Sequence, residues 1–182
     1  MRCFGDGDPL YETYHDAEWG RPVRDDVGLF ERLSLEAFQS GLAWITILRK
    51  REAFRDAFAG FDPEQVAGFD DDDVARLLAD PGIVRNQAKI TATIANARAV
   101  VGLWAADRTL TELIWSHAPQ PRPRPATYAD VPTSTPESAA LANALKAVGF
   151  RFVGPTTAYA AMQACGLVDD HLAGCTTTEP PA

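Results

Sequence analysis

Leu145-Lys146-Ala147-Val148-Gly149-Phe150-Arg151-Phe152-Val153-Gly154-Pro155-Thr156-Thr157-Ala158-Tyr159-Ala160-Ala161-Met162 reads as helix, tight turn, helix. The first helix starts upstream at Ser134-Thr135-Pro136-Glu137, where a hydroxyl cap precedes a proline just inside the first turn. It runs to about Val148 and stops at Gly149. The second spans Thr156 to Cys165 and closes at Gly166. On these residues alone, an ordinary helix pair fits as well as any specialised hairpin.

The same helical period extends through the rest of the chain. Val27 to Gln39 places Leu29, Phe30, Leu33 and Ala37 on one face, and Trp44 to Phe58 does so with Ile45, Leu48, Phe54 and Phe58. Asp62-Pro63 marks a helix start. The acidic run Asp70 to Asp73 suits the first turn of the next helix, where negative charge complements the dipole. Asn86 to Trp104 is a long amphipathic helix through Ile90, Ile94, Ala97 and Val101. Pro119 to Pro125 carries a proline at every second position and predicts an extended surface loop. No strand alternation of any length appears, so the expected architecture is one all-α domain over 1–182, with a disordered tail from about 177.

With 46% hydrophobic and 23% charged residues in 182, there is ample material for one core. No run reaches the ~18 apolar residues of a membrane helix, and no secretory leader is visible. A soluble, cytoplasmic, monomeric protein is expected. A net charge of -8 argues against non-specific coating of nucleic acid. Local basic clusters remain, at Arg49-Lys50-Arg51 and at Arg85 with Lys89.

Cys3, Cys165 and Cys175 cannot all pair with one another, and a cytoplasmic chain should hold no structural disulfide. Cys3 and His15 near the start, with His171 and Cys175 near the end, form a Cys2His2 set of the kind that holds tetrahedral zinc. The His171-x-x-x-Cys175 spacing would place both ligands on one side of a helical turn. The alternative is two unrelated buried cysteines and two surface histidines. Leu10 to Gly20 is dense in aromatics, and Glu36 sits within an apolar helix face, where a glutamate is rare unless paired or functional. The alternative is that Glu36 caps or salt-bridges locally and that the aromatics are core.

Several runs occur in an order and spacing that resemble the type I DNA-3-methyladenine glycosylases. They are Asp8-Pro9-Leu10-Tyr11, Tyr14-His15-Asp16-x-Glu18-Trp19-Gly20, Leu35-Glu36 and Gln39-x-Gly41-Leu42-x-Trp44-Ile45-Thr46. The series continues through Pro132-Thr133-Ser134-Thr135, Gly149-Phe150-x-Phe152-Val153-Gly154 and Met162-Gln163-Ala164-Cys165-Gly166-Leu167-Val168 to Asp170-His171. The resemblance covers Cys3 to Cys175. It implies a helix-hairpin-helix glycosylase fold with a structural zinc joining the two ends through Cys3, His15, His171 and Cys175. It implies Glu36 as the catalytic, base-binding carboxylate, with Tyr14, Trp44, Trp19 and Tyr11 as aromatic base contacts. It implies contacts to alkylated double-stranded DNA from Gly41, Leu42, Gly154 and Thr156, with Leu42 as a wedge filling the space of the flipped base.

In this resemblance the hairpin at about 145–162 is degenerate, because Phe152 stands where the superfamily often has glycine. Thr156 stands where its lyase members carry lysine, so a monofunctional enzyme is implied. Asp169 and Asp170 are read as structural groups beside His171. The expected activity is hydrolysis of the N-glycosidic bond of 3-methyladenine in base-excision repair. The alternatives are a glycosylase of broader alkylpurine range, and a zinc-stapled damage-binding module without catalysis.

Overall fold

The computed structural model describes residues 2–177; of the expected tail, all but Thr177 lies outside the described residues. The described residues form helices and short 3-10 turns, with no strand among them. In chain order these are α1 (Pro9–Ala17), α2 (Asp26–Gln39), α3 (Trp44–Ala57), α4 (Pro63–Ala67), α5 (Asp71–Ala79), α6 (Gln87–Trp104), α7 (Leu110–Trp115), α8 (Pro136–Ala147) and α9 (Pro155–Ala164). No helix is long and apolar enough to cross a membrane.

Side-chain caps set most helix starts. Asp62 accepts from the Glu64 and Gln65 amides at the head of α4, and Asp70 makes a reciprocal capping box with Asp73 at α5. Thr135 does the same with Ser138 at α8. Two helices were not anticipated from periodicity. α1 begins on an Asp8 cap with Pro9 in the first turn, and α7 begins on a Thr109–Glu112 capping box. Both are too short to display an amphipathic repeat.

α2 is the central rod, in contact with α3, α6, α7 and α9, while α4 packs on α6 and α8 on α9. Leu29, Phe30, Leu35 and Phe38 of α2 are fully buried. Phe38, Phe54, Phe58 and Phe61 pack ring on ring, with Phe58 and Phe61 stacked at 5.5 Å. Burial of such side chains contributes roughly 1.5–3 kcal/mol each. Asp26, in the first turn of α2, accepts from Trp104 Nε1 and from both the amide and hydroxyl of Thr111. It thereby ties α6 and α7 to the central rod.

The α8–α9 turn leaves α8 through Gly149 at φ +106° and reaches Phe152 at φ +56°. Phe152 is a left-handed, non-glycine residue and is also exposed. That backbone region is costly for a residue with a Cβ. The proline-rich 119–125 segment carries no helix, as expected, and is latched at several points. Arg122 donates to Tyr159 Oη and Asp170, Arg124 to Asp169 and the Thr177 carbonyl, and Ala173 N–H to the Pro125 carbonyl.

Candidate active site and metal-binding cluster

α1 carries two kinds of side chain on adjacent positions. Tyr14 and His15 are both buried, and they serve neighbouring sites. Tyr14 faces Trp44, at the start of α3, with ring centroids 5.3 Å apart. Glu36, one turn before the end of α2, is only 8% exposed. Its carboxylate field reaches Tyr11 and Tyr14, adding to burial in raising both phenols above their ordinary range. Glu36 itself is pushed up to about 8 by burial, with Arg32 opposing. Trp44 Nε1 is buried without a hydrogen-bond partner among the described residues. Unsatisfied buried polar groups are uncommon in folded proteins, and Trp44 Nε1, beside the Tyr14 ring, makes this a candidate ligand site.

Tyr11 and Trp19 stand further out and are joined by Phe4, a residue the sequence reading missed. Phe4 lies 5.0 Å from Tyr11, 5.1 Å from Trp19 and 4.7 Å from His15. Its position directly after Cys3 was the available signal. Trp19 also packs on His171 at 4.7 Å, so it lies at the border between the aromatic site and the histidine–cysteine cluster.

In that cluster the four candidate ligand atoms all lie within 4.8 Å of one another. Cys3 Sγ is 3.0 Å from His15 Nε2, 3.4 Å from His171 Nδ1 and 3.6 Å from Cys175 Sγ. Cys175 Sγ is 3.4 Å from His15 Nε2 and 3.6 Å from His171 Nδ1. A tetrahedron with zinc–sulfur and zinc–nitrogen bonds of ordinary length has edges of about 3.3–3.8 Å. The outward ring nitrogens have acceptors: His15 Nδ1 faces Asp16 Oδ1 at 2.8 Å and His171 Nε2 faces the Trp19 carbonyl at 3.3 Å. Protons held outward leave the inner lone pairs converging with two sulfurs, an arrangement suited to a metal ion.

One expectation about this cluster is corrected. Residues 171–175 form a turn closed by Cys175 N–H to the Leu172 carbonyl, not a turn of helix. The Ala173 amide donates to the Pro125 carbonyl instead of within a helix. Asp169 accepts from the His171 amide, whereas Asp170 is buried in its own network with Tyr159, Gln163 and Arg122.

Glu18 braces this corner. Arg51 donates to both its carboxylate oxygens, at 2.6 and 2.8 Å, and Arg32 donates at 3.0 Å. Despite burial, these arginines hold Glu18 below the usual carboxylate range. Glu18→Gln should lower stability by about 2 kcal/mol in urea titrations at pH 7, reduced from the fully buried case by partial exposure.

The remaining candidate positions lie on two turns. Gly41, at φ +85°, and exposed Leu42 occupy the α2–α3 turn, which is closed by Leu42 N–H to the Gln39 carbonyl and Gln39 Nε2 to the Leu42 carbonyl. Gly154 is the N-cap of α9 and Thr156 is exposed in its first turn. The suggested basic clusters are largely committed inside the fold: Arg51 to Glu18, Lys50 to the Pro81 and Gly82 carbonyls, and Lys89 to those of Phe38 and Ser40.

An all-helical scaffold sets a buried carboxylate near two phenols, one of them packed on an indole. The family model for methyladenine glycosylases matches residues 4–178, and the chain belongs to that family. It is 49% identical over 171 residues to DNA-3-methyladenine glycosylase 1 of Escherichia coli, covering 92% of this chain and 91% of that protein. A crystal structure of 3-methyladenine DNA glycosylase I superposes with TM-score 0.94 at 48% identity, over 97% of this chain and 98% of that one. A tyrosine-to-phenylalanine variant of such an enzyme, solved in complex with 3-methyladenine, superposes with TM-score 0.91 at 35% identity, over 98% and 96%.

Proposed function

We propose that this chain, as a single domain, excises 3-methyladenine from alkylated double-stranded DNA as a monofunctional N-glycosyl hydrolase. The observation that carries this reading is Glu36, a residue buried in α2 and near enough to Tyr11 and Tyr14 for its charge to raise both phenols, with Trp44 packed on Tyr14. Methylation at N3 leaves the nucleoside base cationic. Its positive charge and its amino N–H groups match the ionised Glu36, while the rings of Tyr14 and Trp44, with Tyr11, Trp19 and Phe4 around them, supply stacking and cation–π attraction. Neutral adenine gains less from each of these.

The reaction needs little acid assistance. Water adds its oxygen to the sugar C1′, the C1′–N9 bond breaks, and its electron pair neutralises the departing base; the proton of water is released to solvent. Glu36 therefore acts chiefly in selecting and holding the base. Thr156 offers no amine for a Schiff base, so strand cleavage is not part of the activity.

The α8–α9 turn serves in this reading as a degenerate helix-hairpin-helix. The amides near Gly154 and Thr156 approach a backbone phosphate, and Leu42, presented by Gly41, fills the gap left by the flipped base. Cys3, His15, His171 and Cys175 would hold zinc, since two thiolates and two imidazoles within 4.8 Å of one another are a donor set suited to that metal. Such an ion supplies cross-linking, not chemistry, because the four ligands leave no open position.

The test is incubation with methylated duplex DNA and chromatography of released bases. Free 3-methyladenine without strand scission is the expected product. Substantial release of methylated guanine would widen the range to alkylpurines in general. Binding without release of any base would leave a damage-recognition module and sink the enzymatic reading.

A further inference from the structure

Lys89 and Asn96 lie seven residues apart on α6, hence on the same face, about 10.5 Å apart along the axis at 1.5 Å per residue. Both are buried, and neither contributes to the base site. Lys89 Nζ donates to the Phe38 carbonyl at 2.9 Å and to the Ser40 carbonyl at 2.8 Å. These belong to the C-terminal end of α2, where carbonyls lack helical partners and a cation is favoured. Lys89 has no carboxylate partner among the described residues. The backbone it holds leads directly into exposed Gly41 and Leu42.

Asn96 performs the corresponding task one face-repeat later. Its Oδ1 accepts from the Arg151 amide at 2.7 Å, and its Nδ2 donates to the Arg151 carbonyl at 3.2 Å. This reciprocal pair fixes the residue immediately before Phe152, whose left-handed backbone and exposed ring form the tip of the α8–α9 turn.

Stability alone does not require this arrangement. The Ser40 carbonyl adjoins an exposed turn and is only part-buried, whereas drawing an ammonium group out of water carries a cost. What the two side chains accomplish is to set the separation of two exposed turns from one rigid rod.

We propose that Lys89 and Asn96 are paired positioning residues, holding the Leu42 turn and the Phe152 turn in the register needed for both to engage one duplex. This rests on the assignment of those turns to DNA in the reading above. The test uses the full chain with Lys89→Met, Asn96→Leu and the double variant. Three quantities are compared: single-turnover release of 3-methyladenine from methylated duplex, affinity for free 3-methyladenine by tryptophan fluorescence, and melting temperature.

Each single variant should slow release from duplex by about tenfold, equivalent to ~1.4 kcal/mol. Affinity for the free base should stay within about twofold of the wild-type Kd. The double variant should lose little more than the worse single one, because register fails once either end loosens. If Lys89→Met does not fold, Lys89→Gln, which keeps one donor, carries the same comparison. Release at the wild-type rate, equal losses in duplex release and free-base affinity, or simply additive effects would each overturn the pairing. A wild-type chain that released no 3-methyladenine would instead remove the glycosylase reading, and this inference with it.

Discussion

Glu36→Gln should release 3-methyladenine from methylated duplex about a hundredfold more slowly at limiting substrate, from the loss of ~3 kcal/mol of charge-assisted hydrogen bonding and cation attraction. The same variant should be the more stable protein in alkali. Burial holds the Glu36 carboxyl at about 8, above its value in the unfolded chain. Its contribution to stability is therefore fully present below about pH 4.5 and is lost as pH rises through about 8. The glutamine removes that loss. At pH 9 the variant should be more stable by about 2 kcal/mol, a rise in melting temperature of about 4–8 °C for a chain of this size. Below pH 5 the difference should vanish.

Activity follows the opposite sign, because the ionised carboxylate is the form that meets the cation. kcat/KM should climb about tenfold per pH unit from 6 towards 8 in the wild type and lose that limb in the variant. A variant that kept wild-type kcat/KM, or a flat wild-type profile between pH 6 and 8, would remove Glu36 from its role.

On the proposed zinc assignment, removing the metal should have the second largest effect. Chelation, or Cys175→Ser, should lower the melting temperature by about 10 °C, since losing ~4 kcal/mol shifts a chain of this size by about 2–4 °C per kcal/mol. Because His15 directly follows Tyr14 on α1, and Trp19 packs on His171, the base site should weaken as well. Affinity for free 3-methyladenine should fall at least about tenfold. Elemental analysis should find about one zinc per chain beforehand. Calorimetry of a metal-free sample that melted where the loaded protein does would refute the structural role.

The long helices were legible because each shows its buried face over three or more turns, as α2 does with Leu29, Phe30 and Leu33. α1 and α7 were not, although Asp8-Pro9 and Thr109-x-x-Glu112 carry ordinary start signals. Glu36 and the four histidine and cysteine positions stood out as residue types in unexpected company. The convergence of the four was expected from the resemblance, and the packing of everything between brings residues 3 and 175 together. The fates of Lys89 and Arg51 were hidden. Each looks like a surface charge in the sequence, and each finds its partners more than thirty residues away. The turn at 171–175 shows the limit of spacing arguments, for a four-residue interval suits a tight turn as well as a helix.

A cluster drawn from residues 3, 15, 171 and 175 has a further consequence, for the timing of assembly. Its ligands are separated by nearly the whole chain, so an ion cannot be held by all four until the intervening helices have docked. A contact made that late is absent from the transition state and acts on the rate of escape from the native state. The ion should therefore leave the refolding rate unchanged and prolong the lifetime of the folded enzyme, protecting it from proteases and heat as a latch closed last.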